Sequence, residues 1–333
     1  MILNPAIIAQ ITGSLLVSIY GLYASVFGLR IVNHWDIESG SELQLSLERR
    51  TYLVSTVAAH LFVLSLFSTF LFIYTGEHLH PLFVGAMCTA GTLNVNAYGY
   101  PLLTLKIMNF FLCGLWLIVN YTDGMAPDYP LIKAKYRFLA VITALLVLET
   151  LFTLGYFRLL RADVITSCCG TLFSTESATI MGDMASMPAR AAKALVLTGF
   201  VIYSRCGIHL SLTGRGGRLF GLFSAGLFVL SLLSVVAVVS VYYYELPTHH
   251  CPFCLLQGEY HYIGYLLYGA LFLGGITGAG VGVIDRFRTI PSLGAKVPTI
   301  QKRLTLWSMI GFGAFLLISV YPMVFSDFRL EGY

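Results

Sequence analysis

Apolar runs of about 20 residues recur along almost the whole chain, and they constrain its fold more than any other feature. A run of that length can cross the hydrocarbon core of a bilayer as a helix. Of the 333 residues, 57% are hydrophobic and only 11% are charged, whereas soluble domains carry about 25% charged residues. We therefore expect an all-α, polytopic integral membrane protein in which residues 1–333 form a single domain.

Each apolar run predicts one membrane-spanning helix. The predicted spans are residues 5–29, 51–75, 101–121, 134–157, 190–212, 219–244, 255–284 and 305–326. No basic residue precedes the first run, so this segment lacks the positive start of a cleaved signal peptide and is expected to remain as a helix. The sequence thus predicts a bundle of about eight helices in a lipid bilayer.

The Lys and Arg residues are unequally distributed between the two sets of loops. The loops after the odd-numbered spans contain thirteen of them: Arg30, Arg49, Arg50, Lys133, Lys135, Arg137, Arg215, Arg218, Arg286, Arg288, Lys296, Lys302 and Arg303. The loops 76–100 and 245–254 contain none, and the long connection 158–193 contains four: Arg158, Arg161, Arg190 and Lys193. Because basic loops stay in the cytoplasm, we expect both termini outside, in a cytoplasmic (inner) membrane of the bacterial type. The sequence contains no stripe of basic residues, so we do not expect a nucleic-acid partner.

In this topology five of the seven cysteines fall in outer loops. Cys88 lies in loop 76–100, Cys168 and Cys169 in loop 158–189, and Cys251 and Cys254 in loop 245–254. In an oxidising compartment thiols either pair or are maintained for a purpose. An odd number of them indicates a reactive thiol or a metal site. Cys113 and Cys206 lie within spans and are expected to be small buried hydrophobes.

The most specific motif is Cys251-Pro252-Phe253-Cys254, which precedes Leu255-Leu256-Gln257 at the predicted start of the seventh span. At a helix N-terminus the dipole lowers the pKa of a cysteine and makes thiolate available for exchange. A CxxC motif equally supplies two ligands to a metal. Tyr244 and Tyr260, at outer helix ends, are typical of an interfacial aromatic belt.

The Cys-Pro-Phe-Cys-Leu-Leu-Gln segment resembles the CxxC of quinone-reducing thiol oxidases, of the DsbB type and the vitamin K epoxide reductase-like type. The resemblance implies that Cys251 and Cys254 are the quinone-proximal pair and that Cys168, Cys169 or Cys88 forms the relay. It implies a quinone cofactor, with Gln257 and Tyr260 as candidate contacts. Separately, Glu149 is a carboxylate in the outer half of the fourth predicted span and is a candidate for proton uptake near the thiols. An extracytoplasmic thioredoxin-like protein would be the partner.

A metal site is the main alternative for the same residues. The ligands would be Cys88, Cys168, Cys169, Cys251, Cys254, His249, His250, Met181, Met184 and Met187. Thiolate and thioether ligands select Cu(I), and a metallochaperone would then be the partner. The order C, CCG, CxxC also resembles the cysteine-rich CCG module that holds an iron-sulfur cluster in heterodisulfide reductases.

Polar residues inside the predicted spans are costly and should face the bundle interior or water. We expect this of Glu149 and Arg205. His60 and His209 raise the idea of a bis-histidine haem b, but their predicted depths differ, so we expect satisfied interior histidines instead.

The sequence thus favours a membrane thiol–disulfide oxidoreductase that exchanges electrons with an extracytoplasmic thiol protein and with quinone. A metal-binding or metal-transfer protein comes second. A structural subunit of a membrane complex, with loops held by disulfides, is the third alternative.

Overall fold

The computed structural model describes residues 3–166 and 186–330, and within these ranges the chain forms helices and no strands. The α-helices are α1 (Pro5–His34), α2 (Glu42–Leu79), α3 (Thr89–Leu93), α4 (Gly99–Asp123), α5 (Ile132–Arg158), α6 (Ala189–Thr213), α7 (Gly217–Ser234), α8 (Ser240–Tyr244), α9 (Ile263–Asp285), α10 (Pro291–Gly294) and α11 (Val297–Phe325). A π-helical turn, Val235–Val239, joins α7 to α8.

Eight helical segments of the described ranges are long and apolar enough to cross a membrane. They correspond one to one with the eight predicted spans, which confirms the all-α polytopic bundle. Three starts differ from the prediction, and one of them is that of the eighth spanning helix, which begins at Val297 rather than at residue 305. The second helix begins at Glu42 rather than near residue 51, and the seventh spanning helix begins at Ile263 rather than at residue 255.

Local sequence signals account for several helix ends. Asn4 caps α1, because its side chain accepts a hydrogen bond from the Ala6 amide at 2.9 Å. Pro5 fits the first turn, where its missing N–H costs no hydrogen bond. Gly214 ends α6 in the left-handed conformation, with φ of 66°, which a glycine adopts without strain.

The chain divides into two compact units. The first contains Met1–Thr75, Asn96–Leu160 and Phe287–Pro298, and the second contains Gly76–Val95, Arg161–Arg286 and Thr299–Tyr333. The second unit therefore contains the last turn of α2, the short helix α3 and the loop that carries the CxxC motif.

The first unit is built on α1, α4, α5 and most of α2, around a core that includes Trp116 and Tyr136. Glu149 is buried there, as predicted, and its carboxylate is 2.8 Å from the ammonium of Lys106. Asn109 donates to the second carboxylate oxygen of Glu149 at 2.7 Å. A buried charge in a membrane bundle needs such partners.

The two intramembrane histidines differ from their predicted positions. The side chains of His60 and His209 are exposed on the helix surface, so the expectation of interior histidines is wrong. His60 satisfies its Nδ1 locally, at 2.8 Å from the carbonyl oxygen of Thr56. Arg205 is exposed as well, so of its two predicted environments the bundle interior is wrong and water stays a prediction. The helical period places each of these residues away from the buried face of its helix, which hydropathy alone does not indicate.

Candidate thiol site

Three of the predicted cysteines come together in the second unit. The sulfur atoms of Cys88, Cys251 and Cys254 all lie within 4.8 Å of one another. Cys88 and Cys251 are fully buried and Cys254 is 4% exposed. The sulfurs of Cys88 and Cys251 are 3.5 Å apart. This distance is longer than the ~2.05 Å of a disulfide bond, so the two sulfurs are in contact but not bonded.

The CxxC loop approaches the membrane helix through two tight turns. Cys254–Leu256 and Gly258–Tyr260 are 3-10 turns, and α9 follows only at Ile263. Cys251 therefore does not lie at the N-terminus of a long helix, and the predicted dipole effect on its thiol has no structural basis. His261 and Tyr262, both in the left-handed conformation with φ of 54° and 55°, bend the chain before the helix begins.

Two tyrosine hydroxyls hold the backbone of the CxxC motif. Tyr244, from α8, donates to the carbonyl oxygen of Cys251 at 2.6 Å. Tyr268, from α9, donates to the carbonyl oxygen of Pro252 at 2.8 Å. Tyr244 is buried, so it is part of the site rather than the interfacial anchor that the sequence predicted. The motif is fastened to a helix on each side.

Glu77, near the end of α2, connects the loop of Cys88 to the loop of Cys254. Its carboxylate accepts hydrogen bonds from the Thr89 amide at 3.0 Å and the Thr89 hydroxyl at 2.9 Å. The side-chain amide of Gln257 donates to the same carboxylate at 2.8 Å, and also to the carbonyl oxygen of Met87 at 2.8 Å. His80 lies 3.2 Å from it. Glu77 and Gln257 thus set the distance between the two cysteine loops.

The loop that carries Cys88 is also fastened at Thr166. The Thr166 amide donates to the carbonyl oxygen of Val84 at 2.9 Å, and its hydroxyl donates to that of Gly91 at 2.9 Å. Gly85 is required at this contact, because its φ is +85° and a Cβ atom there would lie 2.2 Å from the Thr166 carbonyl oxygen. Thr166, the last residue of the first described range, therefore lies beside the Cys88 loop.

Four predicted site residues lie outside the described residues: Cys168, Cys169, Met181 and Met184. Their roles stay predictions. Met187 is described, and it packs against an apolar cluster that includes Ala237 and Tyr242. In this contact Met187 fills apolar space, as methionine commonly does in hydrophobic cores.

The two predicted histidines have different surroundings. His249 places its Nε2 3.4 Å from the sulfur of Cys254 and packs its ring against Tyr244, with centroids 4.7 Å apart. His250 is buried, and its Nδ1 lies 3.0 Å from the carbonyl oxygen of Val236 in the π-helical turn. His249 is therefore the histidine that the structure places beside a thiol.

The predicted cofactor contacts are only partly gathered at the thiols. Tyr260 packs on Tyr244, with ring centroids 4.7 Å apart. Partial burial, followed by the nearby charges of Cys254 and Glu259, raises the pKa of Tyr260. The side-chain amide of Gln257 donates to Glu77 and to the carbonyl oxygen of Met87 instead. Glu149 belongs to the first unit.

The described arrangement permits two kinds of chemistry. Three thiols within 4.8 Å can pass a disulfide from one pair to another, since exchange needs a third sulfur close to the bonded two. The same three sulfurs, as thiolates, also form a ligand set that suits a soft or borderline metal ion. Sequence reasoning missed Glu77, Thr89 and Tyr268. A carboxylate at the end of an apolar span was the one signal that pointed to Glu77.

Comparisons of this chain with protein-family models, with curated proteins and with solved structures give no match.

Proposed function

We propose that this chain is a membrane thiol–disulfide redox protein whose exchange centre is Cys88, Cys251 and Cys254. The observation that carries the proposal is the 3.5 Å separation of the Cys88 and Cys251 sulfurs. These residues are 163 positions apart in the sequence, and a dedicated network around Glu77 holds their loops together. Simple packing of small apolar residues does not require such a network.

The exchange step follows from this geometry. In the oxidised centre Cys251 and Cys254 form a disulfide, and the Cys88 thiolate attacks the Cys251 sulfur. A Cys88–Cys251 bond forms, and Cys254 leaves as a thiolate, which His249 is placed to protonate at 3.4 Å. A second thiol then attacks Cys88 and releases Cys251. The CxxC pair gains two electrons, and Cys88 and the second thiol lose them.

Burial determines where the second thiol comes from. Cys88 and Cys251 are both 0% exposed, so the thiol of a folded partner protein does not reach either sulfur directly. We propose Cys168 or Cys169 as this second thiol; both lie outside the described residues. Return of the CxxC dithiol to the disulfide needs a two-electron acceptor, for which we propose a membrane quinone. It would leave as the quinol with two electrons and two protons.

The test mixes this protein with a reduced thioredoxin-like protein and measures the rate at which the thioredoxin-like protein is oxidised. We expect Cys251→Ser and Cys88→Ser to lower the rate by about 100-fold or more, because each removes a sulfur that is bonded during the exchange. Cys206→Ser is the matched control, since Cys206 is a cysteine of the same unit that does not belong to the cluster. A fully active Cys251→Ser protein would remove the proposal.

Metal binding is the second candidate, and a separate observation favours it. The three sulfurs form a buried set of soft donors within 4.8 Å of one another, and the Nε2 of His249 lies 3.4 Å from one of them, that of Cys254. Elemental analysis of protein purified without oxygen decides between the candidates. Copper or iron near one equivalent, lost in Cys88→Ser, would replace the redox proposal by a metal-binding function. Metal far below one equivalent favours the disulfide relay.

A further inference from the structure

A mainly apolar cavity of about 190 Å³ lies in the second unit between α6, the π-helical turn and α11. Its apolar lining includes Leu197, Val238 and Val320. Leu197 is 49% exposed, so the cavity reaches the outer surface of the helices, where lipid surrounds a membrane bundle. An apolar cavity of ~150 Å³ is large enough to take up a benzene ring.

The polar groups of this cavity are hydrogen-bond donors. Ser319 lines it and is 4% exposed, and its hydroxyl has no hydrogen-bond partner among the described residues. An unpaired buried hydroxyl is unfavourable. Lys193 also lines the cavity, with its ammonium 2.8 Å from the hydroxyl of Tyr242. An ammonium donates up to three hydrogen bonds and accepts none. A fitting occupant therefore has an apolar body and oxygen atoms that accept hydrogen bonds.

One short turn connects this cavity to the thiol site. Val238 and Val239 of the π-helical turn line the cavity. The carbonyl oxygen of Val236, in the same turn, lies 3.0 Å from the Nδ1 of His250, and His250 immediately precedes Cys251. A π-helical turn within an α-helix frequently marks a functional site. Here it contacts both the cavity and the residue next to the CxxC motif.

We propose that this cavity binds the carbonyl-bearing ring of a membrane-soluble quinone, with Ser319 and Lys193 as the hydrogen-bond donors. The proposal rests on the proposed function, because that function needs a two-electron acceptor that dissolves in the membrane. It differs from the sequence prediction, which used Gln257 and Tyr260 as the contacts. The ester carbonyl of a phospholipid acyl chain has similar chemistry, and the experiment must separate the two.

The experiment measures the affinity of a short-chain ubiquinone for the full chain in phosphatidylcholine nanodiscs that contain no other quinone. We expect Ser319→Ala to weaken binding about tenfold, the effect of one lost hydrogen bond. Val320→Phe, which fills the cavity, should abolish binding. The matched controls are Ser231→Ala, a buried hydroxyl without a partner in the described structure that does not line the cavity, and Val324→Phe, one turn along α11 and 60% exposed.

Unchanged affinity in Ser319→Ala would overturn the proposal even if the Val320→Phe protein fails to fold. Binding that is present in detergent and lost in phosphatidylcholine nanodiscs would also overturn it, because phospholipid would then occupy the cavity. The same titration on Cys251→Ser separates this proposal from the thiol function. Quinone binding that persists while thiol exchange is absent in every protein refutes the exchange alone. Intact exchange without quinone binding refutes the cavity assignment alone.

Discussion

At the scale of single residues, Glu77 determines the geometry of the thiol site although it carries no sulfur. It accepts hydrogen bonds from Thr89, which follows Cys88, and from Gln257, which lies three positions after Cys254. A carboxylate accepts in all of these contacts, whereas an amide presents an N–H₂ group to at least one donor. The separation of Cys88 from Cys251 should therefore depend on the charge of this side chain.

We predict that Glu77→Gln slows disulfide exchange about tenfold and lowers the free energy of unfolding by about 1–3 kcal/mol, the cost of an unsatisfied buried polar group. Rapid-quench alkylation of the three thiols measures the rate. Glu259→Gln is the control, because Glu259 is exposed in the neighbouring turn. The double change Glu77→Gln with Gln257→Glu restores a donor–acceptor pair and should recover part of the rate. Equal rates in all four proteins would contradict the assigned role.

The sequence identified the cysteines of this site but not the residues that position them. A CxxC motif and a cysteine in an outer loop are visible as residue types. The contact between Glu77 and Gln257 joins positions 180 residues apart, and no periodicity of one sequence encodes such a pairing. The sequence predicts Gln257 as a quinone contact, whereas its described hydrogen bonds go to Glu77 and to the carbonyl oxygen of Met87.

At the scale of elements, the approach of α9 to the CxxC turn decides where the motif lies. The apolar run after Cys254 predicted a continuous span from residue 255. Leu255 and Leu256 are buried in a 3-10 turn instead, because apolar side chains satisfy burial in a turn as well as in a helix. Gly264, in the first turn of α9, permits the close contact: a Cβ atom there would lie 2.9 Å from the backbone of Leu255.

We predict that Gly264→Ala displaces this turn and destabilises the protein by about 1–3 kcal/mol, the typical cost of overpacking, with slower thiol exchange. Gly269→Ala is a matched control in the same helix, because a Cβ atom at Gly269 has no neighbour within 4 Å. That change should be neutral or stabilise the helix by up to about 1 kcal/mol. Thermal unfolding and the exchange rate are measured for both. Identical behaviour of the two variants would show that the close contact does not matter.

At the scale of the whole molecule, hydropathy predicted the number of spanning helices because lipid demands long apolar segments with internally satisfied backbones. It did not predict the extension of α2 back to Glu42, since Arg49 and Arg50 lie in that part and lower its hydropathy. The division into two compact units was not foreseen either. It depends on which helices contact each other, and span hydropathy carries little information about partners.

The orientation of the chain is the remaining whole-molecule prediction. The thirteen basic residues in the loops after the odd-numbered spans indicate that these loops are cytoplasmic. The thiol site would then face the oxidising side. In a background with Cys168→Ser, Cys169→Ser and Cys206→Ser, we introduce Leu246→Cys or Gly40→Cys at exposed positions of an outer and an inner loop.

A membrane-impermeant maleimide should label the Leu246→Cys protein in intact cells and the Gly40→Cys protein only after permeabilisation. The background without either substitution is the control, because the four remaining cysteines, Cys88, Cys113, Cys251 and Cys254, are buried. The opposite pattern would place the cluster on the reducing side, where glutathione and thioredoxin keep thiols reduced. A disulfide relay would then lose its thermodynamic basis. The same buried thiolates would be better suited to hold a metal, so this labelling experiment also tests the order of the two proposed functions.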